Sequence, residues 1–93
     1  MKQFSYQIED PNGMHARPAG SLATFARRFV SDIRISTGEK EADAKRLLSL
    51  MSLGATQGTT LLFSVTGADE DLAAYELERF CTSQWSDTER NKS

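Results

Sequence analysis

The chain has 93 residues, with 13 acidic and 11 basic side chains, a net charge of −2, one histidine and one cysteine. That length suits one small domain with a modest core, and an apolar fraction of 39% with both charge signs present predicts a globular chain. The acidic balance, with no aromatic stacking platform among the basic residues, argues against nucleic acid; no run reaches the roughly 18 apolar residues of a membrane span; and one cysteine forms no internal disulfide, which fits a reducing cytoplasm.

Phe4, Tyr6 and Ile8 alternate with Ser5, Gln7 and Glu9, predicting a first strand with one buried face. A chain that starts in this way is not expected to carry a signal peptide. Pro11-Asn12-Gly13 is a turn, with Gly13 free to take positive φ. Ala19, Leu22, Ala26 and Phe29 then recur at helical spacing, predicting a helix over 16–28. Pro18 is acceptable only in its first turn, which puts His15 at or beside the N-cap.

Ile33 and Ile35 mark a second strand, Thr37-Gly38-Glu39 a turn, and residues 40–43 a weak third strand whose charges suit a sheet edge. A short leucine-rich helix follows, then a fourth strand on Leu61, Phe63 and Val65 that ends at Gly67. Asp69 is the expected N-cap of the last helix, with Glu70 and Asp71 in its first turn. Ala73, Ala74, Leu77, Phe80 and Cys81 form its apolar stripe, to about Gln84. Residues 86–93 are polar and expected to fray. The order βαββαβα predicts an α+β fold, an antiparallel sheet with one face covered by helices.

Any imidazole chemistry must happen at His15. Its place at a helix start sets it against N–H groups that lack intrahelical partners and against the positive end of the helix dipole. A phosphate there would meet the backbone N–H groups of Ala16 and Arg17, and the Arg17 guanidinium could add a charged fork. A lone histidine is more often an ordinary surface residue; the combination with a helix start, an adjacent arginine and a first-turn proline points to function. One histidine and a distant cysteine make no metal ligand set. Gly54-Ala55-Thr56-Gln57-Gly58 lacks the spacing of a nucleotide loop, so neither metal nor cofactor is expected. Cys81 has no base to activate it and is expected to be a small buried helix residue.

The middle segment packs Leu47, Leu48, Leu50, Met51 and Leu53 into one short stretch. Leu50 and Leu53 are expected to face inward, which leaves some of Leu47, Leu48 and Met51 facing water. Exposed apolar clusters rimmed by charge mark partner surfaces. Arg17, Arg27, Arg28, Lys45 and Arg46 supply such a rim and would speed encounter with acidic proteins.

Gly13-Met14-His15-Ala16-Arg17-Pro18-Ala19 resembles the active-site segment of the HPr family, the histidine phosphocarriers of the phosphoenolpyruvate:sugar phosphotransferase system. Lys45-Arg46-Leu47-Leu48-Ser49-Leu50-Met51-Ser52-Leu53-Gly54 resembles the family's second motif at matching spacing, and the resemblance covers about 1–85 as one HPr domain. It implies a four-stranded open-faced sandwich with three helices on one side. It further implies that His15 takes a phosphoryl group at Nδ1 from phospho-Enzyme I and passes it to a sugar-specific IIA protein or domain. Such a protein is a cytoplasmic, monomeric, stoichiometric carrier and not an enzyme. Arg17 would stabilise the phosphoryl group, and Leu47, Leu48 and Met51 would form the docking patch, with Gly20, Thr24, Arg27, Lys45, Arg46 and Ser52 around it.

Arg46 departs from the family. Many relatives have a serine there that caps the middle helix and is a regulatory kinase's target, so no regulatory serine is expected at that place. The alternative is an HPr-like regulatory module, or a paralogue serving a nitrogen or dihydroxyacetone branch. A hydrolase is least favoured, because no second imidazole or carboxylate partner is expected beside His15.

Overall fold

Residues 1–85 are described by a computed structural model, and the tail expected to fray over 86–93 lies outside the described residues. The strands are β1 (Lys2–Gln7), β2 (Asp32–Ser36), β3 (Glu41–Asp43) and β4 (Thr60–Thr66). The helices are α1 (Ala16–Ala26), α2 (Leu47–Met51) and α3 (Glu70–Phe80), and a π-helical turn over Cys81–Trp85 follows. The strands form one antiparallel sheet in the order β1-β4-β2-β3, which places β4 and β2 in the middle and β3 at an edge.

The period-2 alternation sets the register. Phe4 pairs with Phe63 and Tyr6 with Leu61, while on the other side of β4 Ile33 pairs with Val65 and Ile35 with Phe63. One face of the sheet thus carries a continuous apolar layer, with Phe4 and Phe63 stacked at 4.5 Å between ring centroids. The helices cover this face with Ala19, Leu22, Ala23 and Ala26 of α1, Leu50 of α2, and Ala73 and Leu77 of α3, all buried. This is the expected open-faced sandwich. The short edge strand β3 also matches its reading: Glu41 points to water and only Ala42 is buried.

Three local details depart from expectation. Helix α1 stops at Ala26, not Arg28. Arg28 and Phe29 donate three residues back, to Phe25 O and Ala26 O, which tightens the final turn and ends the helix. Helix α3 gives way to the π-helical turn after Phe80, where the Thr82 and Ser83 hydroxyls donate to Arg79 O and draw on the carbonyls of the last turn.

Asp69 sits at the N-cap position of α3 but makes no side-chain cap. Its carboxylate accepts instead from the Val30 and Ser31 N–H groups and the Ser31 hydroxyl, across the chain. Gly67 makes that approach possible, since a Cβ there would lie 2.6 Å from Ser31 Cα. Glu70 accepts from Gly67 N–H, ahead of the helix, and from the Met1 amino terminus. Cys81 is buried, as expected, and burial with Glu78 nearby pushes its thiol far above the usual range, which disfavours the thiolate. Among the described residues no helix is long and apolar enough to cross a membrane.

Candidate functional site

The turn after β1 aims the histidine. Gly13 has φ +69° and lies so close to the 54–58 loop that a Cβ would come within 2.5 Å of Ala55 O. No other residue type fits both the dihedral and the space. The next amide, Met14 N–H, donates to that same Ala55 O at 3.0 Å, and the buried Met14 side chain anchors the segment in the core. His15 follows with extended backbone, φ −105° and ψ −177°, as the N-cap of α1.

His15 makes no side-chain cap, and the first turn of α1 holds no acidic residue. Ala19 N–H is the first to find an intrahelical partner, His15 O at 3.0 Å. Pro18 has no N–H, which leaves Ala16 and Arg17 as the amides that the helix does not satisfy. Both stand directly after the histidine and both residues are exposed. The helix start thus supplies an anion with two donors and the positive end of the dipole.

The ring itself has a partner that the sequence reading missed. His15 Nε2 lies 3.2 Å from Asp10 Oδ2, while Asp10 Oδ1 accepts from Asn12 N–H at 2.8 Å. The expectation that no carboxylate accompanies His15 is therefore corrected. An Asp two residues before Asn-Gly is a turn-forming signal. Only the turn's three-dimensional path carries its second oxygen to the ring. Nδ1 takes no hydrogen bond from the described residues.

Arg17 makes no ion pair or hydrogen bond with the described residues and lines an open groove along α1 with Ala16, Gly20, Thr24, Phe25 and Phe80. Gly20 and Thr24, two of the predicted docking residues, thus share a surface with Arg17. Helix α2 packs against α1. Of its apolar residues Leu50 is fully buried and Leu53 just beyond it nearly so, whereas Leu48 is 79% exposed and Met51 38%. Leu47 is half-buried against the core. The water-facing part of the cluster is therefore mainly Leu48 and Met51.

The basic rim divides into two kinds. Lys45 Nζ donates to Phe29 O at 2.6 Å and Arg27 Nε donates to Lys45 O at 3.0 Å, tying the end of α1 to the start of α2. Arg28 lies over the Phe25 ring at 4.9 Å. Arg46, the N-cap of α2, makes no side-chain cap, so the second helix of this surface also starts uncapped. Ser52 is exposed, with its hydroxyl on Ser49 O, and Ser49 Oγ is taken by Asp43 N–H. Among the described residues no group of three His, Cys, Asp or Glu could hold a metal ion.

Comparison with known proteins bears on this geometry. A family model described as the PTS HPr component phosphorylation site matches residues 2–83. The phosphocarrier protein HPr of Buchnera aphidicola is 40% identical over 83 residues, covering 89% of this chain and 98% of that protein. The crystal structure of HPr-C-His from Thermoanaerobacter tengcongensis superposes with a TM-score of 0.84 at 34% identity, over 92% of this chain and 97% of that one. A crystal structure of an HPr dimer from the same organism gives a TM-score of 0.71 at 34% identity, over 91% and 98% of the two chains.

Proposed function

The chain belongs to the HPr family of the phosphotransferase system, and we propose that it takes a phosphoryl group on His15 from phospho-Enzyme I and passes it to a sugar-specific IIA protein or domain. The observation that carries this reading is the start of α1, where an imidazole is followed by two amide donors without intrahelical partners and by an arginine that pairs with none of the described residues. Neutral imidazole is a nucleophile near pH 7. Its attack on phosphorus forms the N–P bond as the bond to the donor breaks, and the transferred oxygens then meet Ala16 N–H, Arg17 N–H and the Arg17 guanidinium. Charge on the phosphoryl oxygens is met by donors already in place, which lowers the barrier without reorganisation. The partner reverses the step, so the protein acts as a stoichiometric carrier and not as an enzyme.

Docking is assigned to Leu48 and Met51, with Leu47 behind them and Gly20, Thr24, Arg27, Lys45, Arg46 and Ser52 around them. Both partners use this face in turn. The carrier is the domain over 1–85, works in the cytoplasm and acts as a monomer, and position 46 takes no regulatory phosphate because arginine stands there.

The test is incubation with phosphoenolpyruvate and Enzyme I, then mixing with sugar-branch IIA proteins. Label is expected to move onto this chain and on to a IIA protein. Label that reaches the chain and goes no further overturns the sugar-carrier reading in favour of a regulatory module or another branch.

A further inference from the structure

We propose that Asp10 is a positioning residue for His15, its carboxylate holding the Nε2 proton so that Nδ1 is the nitrogen that takes up and releases the phosphoryl group. The inference rests on the phosphocarrier reading for its kinetic consequence, though not for its geometry.

An ionised carboxylate only accepts hydrogen bonds. A favourable contact at 3.2 Å between Asp10 Oδ2 and His15 Nε2 therefore requires the proton on Nε2. In the neutral ring this leaves the lone pair on Nδ1. The carboxylate is itself held: Oδ1 accepts from Asn12 N–H at 2.8 Å, and Gly13 N–H donates to Asp10 O at 2.9 Å. Gly13 is in turn wedged against Ala55. One oxygen thus builds the turn and the other reaches the ring. The side chain of Asp10 is 17% exposed against 39% for His15, so the orienting group is the more enclosed of the two. A nucleophile oriented by a second residue, itself held by the fold, is a recurring arrangement in group transfer.

The electron count shows why the proton's location matters. When the Nδ1 lone pair forms the bond to phosphorus and the donor departs with its own bonding pair, the ring becomes cationic. Its Nε2–H then faces the Asp10 carboxylate. In the return step the N–P bond breaks, its electron pair goes back to Nδ1, and the leaving group is neutral imidazole. Had Nε2 lost its proton, the leaving group would be imidazolate, a far poorer one. Holding the proton thus favours both directions of the relay.

Asp10→Ala and Asp10→Asn separate this role from turn building, since asparagine can make the same turn and its carbonyl still accepts from Nε2–H. Imidazole ¹H–¹⁵N spectra of the unaltered protein at pH 8 are expected to show the His15 Nε2-bound proton. That signal is expected to vanish by exchange with water in Asp10→Ala and to persist in Asp10→Asn. With phospho-Enzyme I as donor, kcat is expected to fall at least about tenfold in Asp10→Ala, as for a misplaced reacting group, with KM unchanged and much of the loss restored in Asp10→Asn. An Asp10→Ala protein that keeps the Nε2 proton and the parent kcat overturns the proposal, as does a defect confined to KM. An unaltered protein that shows the Nε2 proton yet accepts no phosphoryl group overturns the phosphocarrier reading and leaves the Asp10 contact standing. If it shows no such proton, the Asp10 proposal fails whatever the transfer result.

Discussion

The starts of α1 and α3 are the same structural problem solved in opposite ways. Each helix opens after a glycine-containing turn and each has amides without intrahelical partners. At α3 the protein supplies its own anions: Glu70 and Asp71 lie in the first turn, and Asp69 ties the start to Val30 and Ser31. At α1 the first turn has no acidic residue, the N-cap histidine makes no cap, and Arg17 adds positive charge. A helix start with acids in its own first turn holds the fold together; one whose first turn carries none, and whose nearby carboxylate, Asp10, is turned to the histidine ring, leaves its first amides to an external anion. The contrast supports the proposed carrier site at α1 more strongly than the presence of a histidine does.

The largest effect that sharpens this contrast is expected from Arg17→Ala. Removing a donor aimed at developing charge typically slows transfer about 10²-fold. The loss should persist at saturating partner; a defect that disappears at high partner concentration would make Arg17 a docking residue.

Next comes Leu48→Glu, which is expected to weaken binding to Enzyme I by ~2 kcal/mol, the scale of an interface hot spot. Its melting temperature should stay near the parent value, because Leu48 is 79% exposed. Leu50→Ala, one helical step inward, should do the reverse, costing folding ~2–5 kcal/mol. A Leu48→Glu protein that unfolds, or that binds normally, removes the docking face from the account.

At α3 the expected effect is on stability alone. The Ser31 hydroxyl donating to Asp69, with the Val30 and Ser31 amides behind it, holds the Asp69 carboxyl below its ordinary value. A lowered folded pKa means stability that is present above the unfolded value of about 3.9 and lost as pH falls through the folded one. Asp69→Asn should therefore melt lower at pH 7 yet lose less between about pH 5 and pH 3 than the parent does. Its phosphoryl acceptance per folded molecule should be unchanged. An equal acid sensitivity in the two proteins would detach Asp69 from this role.

The smallest effect makes α1 resemble α3. Ala16→Glu puts an acid in the first turn and is expected to stabilise the helix by ~0.3–1 kcal/mol. The same charge should oppose an incoming phosphoryl group and slow its acceptance. Thermal melts and transfer rates must move in opposite directions; a stabler variant that also transfers faster would break the comparison.

Much of this was legible from local sequence, because local rules decide it. Gly13, His15 and Pro18 fix a helix start within a few residues of one another, and the alternation through Phe4, Tyr6 and Ile8, or Leu61, Phe63 and Val65, sets buried faces whatever the pairing. The sheet and its helical cover follow from these patterns. What escaped was decided by contacts distant in sequence or by the path of a turn. Asp69 reads as a cap, but Ser31, 38 residues away, takes its carboxylate. Lys45 and Arg27 read as a basic rim, yet they close the α1–α2 junction through backbone carbonyls. Asp10, just before the turn read at Pro11-Asn12-Gly13, takes no role in the sequence reading, because its second oxygen reaches His15 only once the turn is built.

The most direct measurement is ³¹P NMR and mass spectrometry of the protein after incubation with phosphoenolpyruvate and Enzyme I, beside a His15→Gln variant whose stability stays within about 1 kcal/mol of the parent's, as expected for a half-buried N-cap position that makes no side-chain cap. An acid-labile phosphoryl group on His15, absent from His15→Gln, is the expected result. A parent protein that stays unphosphorylated, or a His15→Gln protein that acquires the same group, would contradict the assignment of the α1 start as the carrier site.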